Sequence, residues 1–295
     1  MRGSFGRFIP DPIKVLAQKN QIYNQFVAKR LARRARRLDL CAAQFAHLLH
    51  RMPGLSLENA RCLEIGSGWV LTHTLVCYLL GAQTVTTTDI LPLAQPRYLR
   101  DAVRGSDASL VREVLSPYSP YEQVRRRLSR IQSMDRFSFP SLGELGISYL
   151  APFDIAKEPL PGMFDIIYSF DVLEHVQPQD LVVFLTNLSR SLAPTGCMVH
   201  SIHTEDHRDS KGDPFAFLSE SQESYPDTTR MLRGNRLRRN EWISIFQQIP
   251  EIKFTILYEW YRHDRHVPDR IDPSVNATDD TDLRIAYLGI MGTRQ

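Results

Sequence analysis

The sequence predicts an α/β fold in which helices wrap a mostly parallel, doubly wound sheet of seven strands. N-terminal helices precede the sheet and an antiparallel hairpin closes it. Three observations predict this. Between residues 60 and 205, short apolar runs of strand length alternate with segments of helical length, the pattern of successive strand-helix-strand units. The run Phe164-Asp165-Ile166-Ile167-Tyr168-Ser169-Phe170 is nearly continuous in apolar residues, as expected of a strand buried on both faces of a parallel sheet. The last two strand-like runs, 254–258 and 283–288, have no helical segment between them, which points to an antiparallel pair.

Residues 1–12, with Gly3, Gly6, Pro10 and Pro12, read as an irregular lead-in. Helices are expected over most of 13–50, where Ile22, Phe26, Val27, Leu31 and Leu38 recur at roughly helical spacing. Pro53-Gly54 ends this pattern, so residues 1–59 read as a helical extension and 60–295 as the main domain. The first strand, Arg61-Cys62-Leu63-Glu64-Ile65, runs into Gly66-Ser67-Gly68-Trp69; an apolar helix over 70–80 and a second strand, 84–88, follow, and Asp89 ends that strand. A helical insertion at about 91–145 exceeds a minimal crossover. The third strand, 147–150, runs on to Asp154, and Asp171 ends the fourth, 164–170. Leu181, Phe184, Leu185, Leu188 and Leu192 mark a helix stopped by Pro194 and Gly196. The fifth strand, 197–202, leads to a polar insertion at about 206–239 with one short helix, then a helix over 241–246, a strand over 254–258, a charged loop and the last strand.

Composition excludes several classes. No apolar run reaches the 18 residues that a membrane-spanning helix needs, and no leader pattern opens the chain; a cytoplasmic location is the expectation. Cys41, Cys62, Cys77 and Cys197 lie far apart, which suggests buried thiols rather than disulfides or a zinc site. Residues 1–60 carry 11 Lys and Arg against 3 Asp and Glu, whereas the remainder carries 25 against 30. This basic excess peaks at Lys29, Arg30, Arg33, Arg34, Arg36 and Arg37. Such a helical face can touch nucleic acid or an anionic membrane, and a solvated face explains it more simply.

The strand-turn-helix-strand-acid unit around Gly66 and Asp89 reads as half of a nucleotide-binding crevice. Together, Leu63-Glu64-Ile65-Gly66-Ser67-Gly68, Asp89, Asp154 and Phe164 through Asp171-Val172-Leu173-Glu174-His175-Val176 resemble class I S-adenosylmethionine-dependent methyltransferases, in the type 11-like subgroup with a Leu-Glu-His-Val signature. The resemblance covers about residues 60–205 by motif and implies a Rossmann-like fold with S-adenosylmethionine as cofactor. A third glycine of the dinucleotide pattern is absent from Gly66-Ser67-Gly68-Trp69-Val70-Leu71.

Residue by residue, the resemblance implies that Glu64 orders the methionine end while Gly66, Ser67 and Gly68 bring backbone against the cofactor. Asp89 would accept both ribose hydroxyls and Ile90 would pack on the adenine. Asp154 and the Ile155 amide would read the adenine edge, and Ser169, Phe170 and Asp171 would line the sulfonium end. Asp165 is expected to be a structural partner instead.

Methyl transfer to an alcohol requires removal of a proton, for which histidine is suited. His175 in the signature, His203 at the end of the fifth strand and His207 in the insertion are the candidates, with Asp206 available to orient an imidazole. Asp171, Glu174 and His175 share an Asp-x-x-Glu-His spacing with some metal-dependent quinone-pathway O-methyltransferases, but the signature is too widespread to argue for magnesium, and no metal is expected. Residues 100–140 and 207–239, the latter holding Arg230, Arg233, Arg236, Arg238, Arg239, Phe215, Phe217 and Tyr225, form the expected substrate cover. With no Asn-Pro-Pro-Tyr or Asp-Pro-Pro-Tyr after the fourth strand, O-methylation of a polar small-molecule acceptor, such as a sugar derivative, is the first expectation. An RNA or protein methyltransferase docking through the basic helices, and a non-catalytic cofactor-binding relative, are the rivals.

Overall fold

Seven strands form one mixed sheet: β1 (Arg61–Ile65), β2 (Thr84–Thr88), β3 (Ile147–Leu150), β4 (Phe164–Phe170), β5 (Leu192–His203), β6 (Ile252–Tyr261) and β7 (Ile285–Arg294). Their order in this computed structural model, which describes residues 11–295, is β3-β2-β1-β4-β5-β7-β6. Only β7 runs antiparallel, inserted between β5 and β6. The strand order reverses direction at β1 and β4, the kind of switch point at which open α/β sheets bind ligands. Of the expected lead-in, residues 1–10 lie outside the described residues; Asp11 and Pro12 open a helix.

Twelve helices accompany the sheet among the described residues. The N-terminal set is α1 (Asp11–Gln18), α2 (Gln21–Ala32) and α3 (Leu38–His50), and α4 (Thr72–Leu79) links β1 to β2. The insertion between β2 and β3 holds α5 (Leu99–Arg104), α6 (Ala108–Leu115), α7 (Tyr121–Ser133) and α8 (Phe139–Gly143). Beyond β4 come α9 (Leu181–Arg190), α10 (Asp227–Arg233), α11 (Arg239–Gln247) and α12 (Asp280–Leu283).

The chain divides into two compact units. The first comprises Gln18–Asp154 and Gly162–Tyr168. Its parallel ladders run in register from Arg61↔Thr84 to Ile65↔Thr88 and from Val85↔Ile147 to Thr88↔Leu150. Every residue of α4 is buried, as an all-round apolar helix requires. Asn20 caps α2 by accepting from the Ile22 and Tyr23 amides (2.9 and 3.2 Å), and Asp107 caps α6 in the same way. Much of the basic run is used internally: Arg33 pairs with Asp101, Arg37 with Asp39, and Arg36 lies 3.3 Å from His73 Nδ1. Asp165 accepts from both the backbone and the guanidinium of Arg61.

The second unit contains Ile155–Pro161 and Ser169–Gln295. Antiparallel pairing joins β5 to β7 from Cys197↔Thr293 to His203↔Tyr287. The helix expected to reach Leu192 stops at Arg190, and Pro194 and Gly196 fall inside the long β5. Proline lacks a ladder donor but fits near a strand's start. Within residues 207–239 several aromatic and arginine side chains are internal. Phe215, Phe217 and Tyr225 form a core of their own with Leu218 and Val275, and Arg233, Arg236 and Arg238 are buried.

Each of these arginines staples the insertion. The Arg233 guanidinium donates to Asp206 (2.6 Å) and to Glu220 (2.6 Å). Arg236 donates to the carbonyls of Phe217 and Glu220, and Arg238, 1% exposed, to the Thr204 carbonyl. A buried guanidinium is tolerated only with such partners. Removing one partner strands a buried charge, so Arg233→Met is expected to lower the unfolding free energy by about 3 kcal/mol, measured by urea denaturation; a change within about 0.5 kcal/mol is what a surface arginine would give.

Candidate functional site

Two sets of polar residues stand at strand carboxyl ends, one in each unit. In the first unit, β1 delivers Glu64 and then a turn in which Gly66 and Gly68 have φ of +76° and +58°, a conformation that favours glycine. The Gly66 and Ser67 amides donate to the Thr88 carbonyl (2.8 and 2.9 Å). A side chain at Gly68 would meet nothing within 4 Å, so the turn presents bare backbone to open space. Asp89 closes this turn: it accepts from the Gly68 amide (2.8 Å), the Leu91 amide (3.0 Å) and the Ser67 hydroxyl (3.5 Å). Burial raises its pKa despite these bonds. Its carboxylate retains acceptor capacity for a vicinal diol.

Around this turn, Ile90 is 51% exposed and offers an apolar surface suited to a flat ring. Asp154 is half-buried, and the neighbouring Phe153 amide donates to the Asp89 carbonyl (2.9 Å). Glu64 lies beneath the turn, fully buried; Thr87 Oγ1 donates to its Oε2 (2.6 Å) and His73 Nδ1 is 3.8 Å from its Oε1. Burial pushes the Glu64 carboxyl up to about 7, against the lowering effects of the Thr87 bond and Arg36. The same unit contains a cavity of about 290 Å³ lined by Gln21, Gln25, Gln95, Arg97 and Phe139. These residues fit the S-adenosyl group: bare backbone at the turn, a carboxylate for the ribose, an apolar cover and a buried carboxylate for a cationic end.

In the second unit, residues after β4 meet the end of β5. Asp171 has φ of +56°, a left-handed conformation uncommon outside glycine, and its amide donates to the Ser201 carbonyl (3.0 Å). Glu174 is 2% exposed, and neither carboxylate oxygen makes a hydrogen bond among the described residues. Burial raises its pKa. His175 Nδ1 and His207 Nε2 are likewise unpartnered, although His207 Nε2 approaches Glu174 Oε1 at 3.2 Å. Burial lowers both imidazoles to about 4, so they are neutral near pH 7.

His203 differs from these two. Its Nε2 bonds Glu205 (2.8 Å), which in turn accepts from Arg262 (3.0 Å), and its ring stacks on Tyr287 with centroids 4.4 Å apart. Burial alone would lower its pKa; the Glu205 bond and the Asp171 and Glu174 charges raise it above the ordinary histidine value. The His207 ring lies 4.5 Å from both the His175 and the His203 rings.

His175, His203, His207 and Asp171 are thus brought together. Three of the expected residues have further contacts within the fold. The hydroxyl of Ser169 turns inward to His200 Nδ1 (2.8 Å) and is fully buried, leaving Phe170 and Asp171 as the half-buried residues there. The Ile155 side chain is buried, and its carbonyl accepts from Asn187 (2.7 Å). Asp206 is engaged with Arg233, so the carboxylate that orients an imidazole is Glu205 on His203. Glu205, Tyr287 and Arg262 escaped the sequence reading; the residue two places after His203 was the one available signal. The raised pKa of Glu64 carries a test. Folding favours its proton between pH 4.5 and 7, so stability contributed at low pH is lost as pH rises through about 7. Relative to Glu64→Gln, wild type is expected to lose about 3 kcal/mol between pH 4.5 and 8 in denaturation titrations; parallel curves would contradict the shift.

Comparison with known proteins follows the same line. A family model described as "Methyltransferase domain" matches residues 32–249, which is most of the chain. No curated protein sequence matches. Among solved structures, a TehB-like S-adenosylmethionine-dependent methyltransferase from Corynebacterium glutamicum aligns over 94% of this chain and 100% of its own at 12% identity and a TM-score of 0.46. An O-methyltransferase family protein from Burkholderia thailandensis aligns over 94% of this chain and 61% of its own at 11% identity and a TM-score of 0.49. The YcgJ protein from Bacillus subtilis aligns over 85% and 98% at 15% identity and a TM-score of 0.45. The chain belongs to this methyltransferase family: it is a class I enzyme whose methyl donor is S-adenosylmethionine.

Proposed function

We propose that the enzyme O-methylates a polar small molecule, such as a sugar derivative or another hydroxyl-bearing metabolite, with a histidine accepting the hydroxyl proton. The observation that carries this reading is His203, an imidazole held by Glu205 and Arg262 beside Asp171 and Glu174. A base of this kind suits an alcohol, whose oxygen attacks well only as its proton leaves. The cofactor supplies an already activated methyl group, so the protein's task is largely alignment.

Within the chain, Gly66, Ser67 and Gly68 would bind the donor through backbone, Asp89 through the ribose, Ile90 and Asp154 at the adenine, and Glu64 at the methionine end. Phe170 and Asp171 would border the reacting groups. His203 would take the proton, its imidazolium stabilised by Glu205. His175 and His207, held neutral by burial, are weaker candidates for that role.

A small acceptor is favoured over RNA by the use of charge. Arg33, Arg36 and Arg37 in the basic helices and Arg233, Arg236 and Arg238 in the insertion have intramolecular partners, which leaves a reduced surface for phosphates. All four cysteines are buried and none forms a disulfide among the described residues, as suits a cytoplasmic enzyme; no helix among the described residues is long and apolar enough to cross a membrane.

Incubating the full chain with methyl-labelled S-adenosylmethionine and fractionated metabolite pools is expected to place label in a small polar product. His203→Ala should slow transfer by about 100-fold, the lower end of general-base contributions, while leaving donor affinity unchanged. Label confined to RNA or protein, or an unaltered rate in His203→Ala, would contradict the reading.

A further inference from the structure

We propose that Glu174, His175 and His207 form a binding site for a divalent first-row transition-metal ion. Each contributes a donor atom, and the three atoms lie within 4.8 Å of one another. The closest pair, Glu174 Oε1 and His207 Nε2, is already 3.2 Å apart. That separation matches two ligands bound to one ion at about 2.1 Å. The remaining adjustment is a side-chain movement.

The hydrogen-bond inventory points the same way. Both oxygens of Glu174, Nδ1 of His175 and Nε2 of His207 are buried and unbonded among the described residues. A carboxylate 2% exposed with neither oxygen satisfied is rare in a folded protein. The backbone amides of Glu174 and His203 face the carboxylate and lower its pKa, against the larger effect of burial, but neither oxygen has a partner at full hydrogen-bond geometry. His207 approaches the carboxylate at hydrogen-bond distance yet is misaligned for one. An ion between these atoms would satisfy several lone pairs at once without asking any ring to donate.

The donor set selects the ion. Two imidazoles and a carboxylate suit zinc, manganese or cobalt better than magnesium, which prefers oxygen. Three protein ligands also leave an open coordination position, the arrangement of catalytic rather than structural sites. A second group, Asp171, Glu174 and His203, again has donor atoms within 4.8 Å of one another and shares Glu174 with the first. His203 bonds Glu205 through one ring nitrogen, the outer-shell carboxylate that histidines at metal sites commonly carry. If the O-methylation reading holds, on which this clause alone rests, an acceptor oxygen would bind on the side flanked by Asp171 and His203.

Spacing along the chain could not assemble this set. Glu174 and His175 sit in one turn after β4, whereas His207 belongs to the insertion after β5, where the buried Arg233 bonds the adjacent Asp206 and gives its carbonyl to the His207 amide (3.2 Å).

The test is direct binding to the full chain. After chelation and desalting, titration calorimetry with ZnCl2 and with MnCl2 is expected to show one ion per chain, at least about 100-fold tighter for one of them than for MgCl2. Glu174→Gln and His207→Ala should each weaken that binding by about tenfold or more, while circular dichroism shows the fold retained. No saturable binding of zinc or manganese would overturn the proposal. So would affinity undiminished in both variants, or a preference for magnesium. Because metal is read directly, failure of the methyl-transfer reading leaves this result intact, and failure here leaves the labelled-product assay intact.

Discussion

The contact on which the crevice after β1 depends is the bond from the Gly68 amide to the Asp89 carboxylate, 2.8 Å long. It joins the turn after β1 to the end of β2, and it forms only because Gly66 and Gly68 adopt left-handed backbone conformations. With the Gly66 and Ser67 amides held by the Thr88 carbonyl, the turn is fixed from below while its upper surface stays open. A crevice of this kind requires little else from the sequence. Backbone supplies the shape, Asp89 the acceptor, and the buried Glu64 beneath it a carboxyl that a cationic ligand would help to ionise.

The second unit solves a different problem, how to hold several charged and polar groups in a protein interior. Arg233, Arg236 and Arg238 do so by saturating their donors with carboxylates and carbonyls. Their order makes the cluster at the end of β5 possible, because Asp206 and His207 lie next to each other in sequence and Arg233 bonds the carboxylate of one while accepting from the amide of the other. Against that saturated background the unbonded oxygens of Glu174 stand out. Two different states of burial coexist there: His203 kept basic by Glu205, and His175 and His207 kept neutral by desolvation.

Much of this was legible in the sequence, and the reason is local. Strand runs such as Phe164–Phe170 announce themselves by near-continuous apolarity, and Gly66, Gly68 and Asp89 lie within one strand-turn-helix-strand unit. What could not be read was long-range pairing. An arginine in a polar stretch looks like solvent-facing charge until its partners are known, so the burial of Arg233 and Arg238 beside a packed core is not legible in the sequence. Asp206 was the nearest acid to His207, but Arg233 holds it and Glu205 serves His203 instead. Ser169 illustrates period-2 alternation at a strand end, where one step decides between the interior and the crevice.

The central claim is that this turn and Asp89 hold the methyl donor. Calorimetric titration of S-adenosylmethionine into the full chain and into Asp89→Ala tests it most directly. Loss of two charge-assisted hydrogen bonds to the ribose predicts affinity weaker by about 100-fold in the variant. Equal affinity in the two proteins would contradict the assignment.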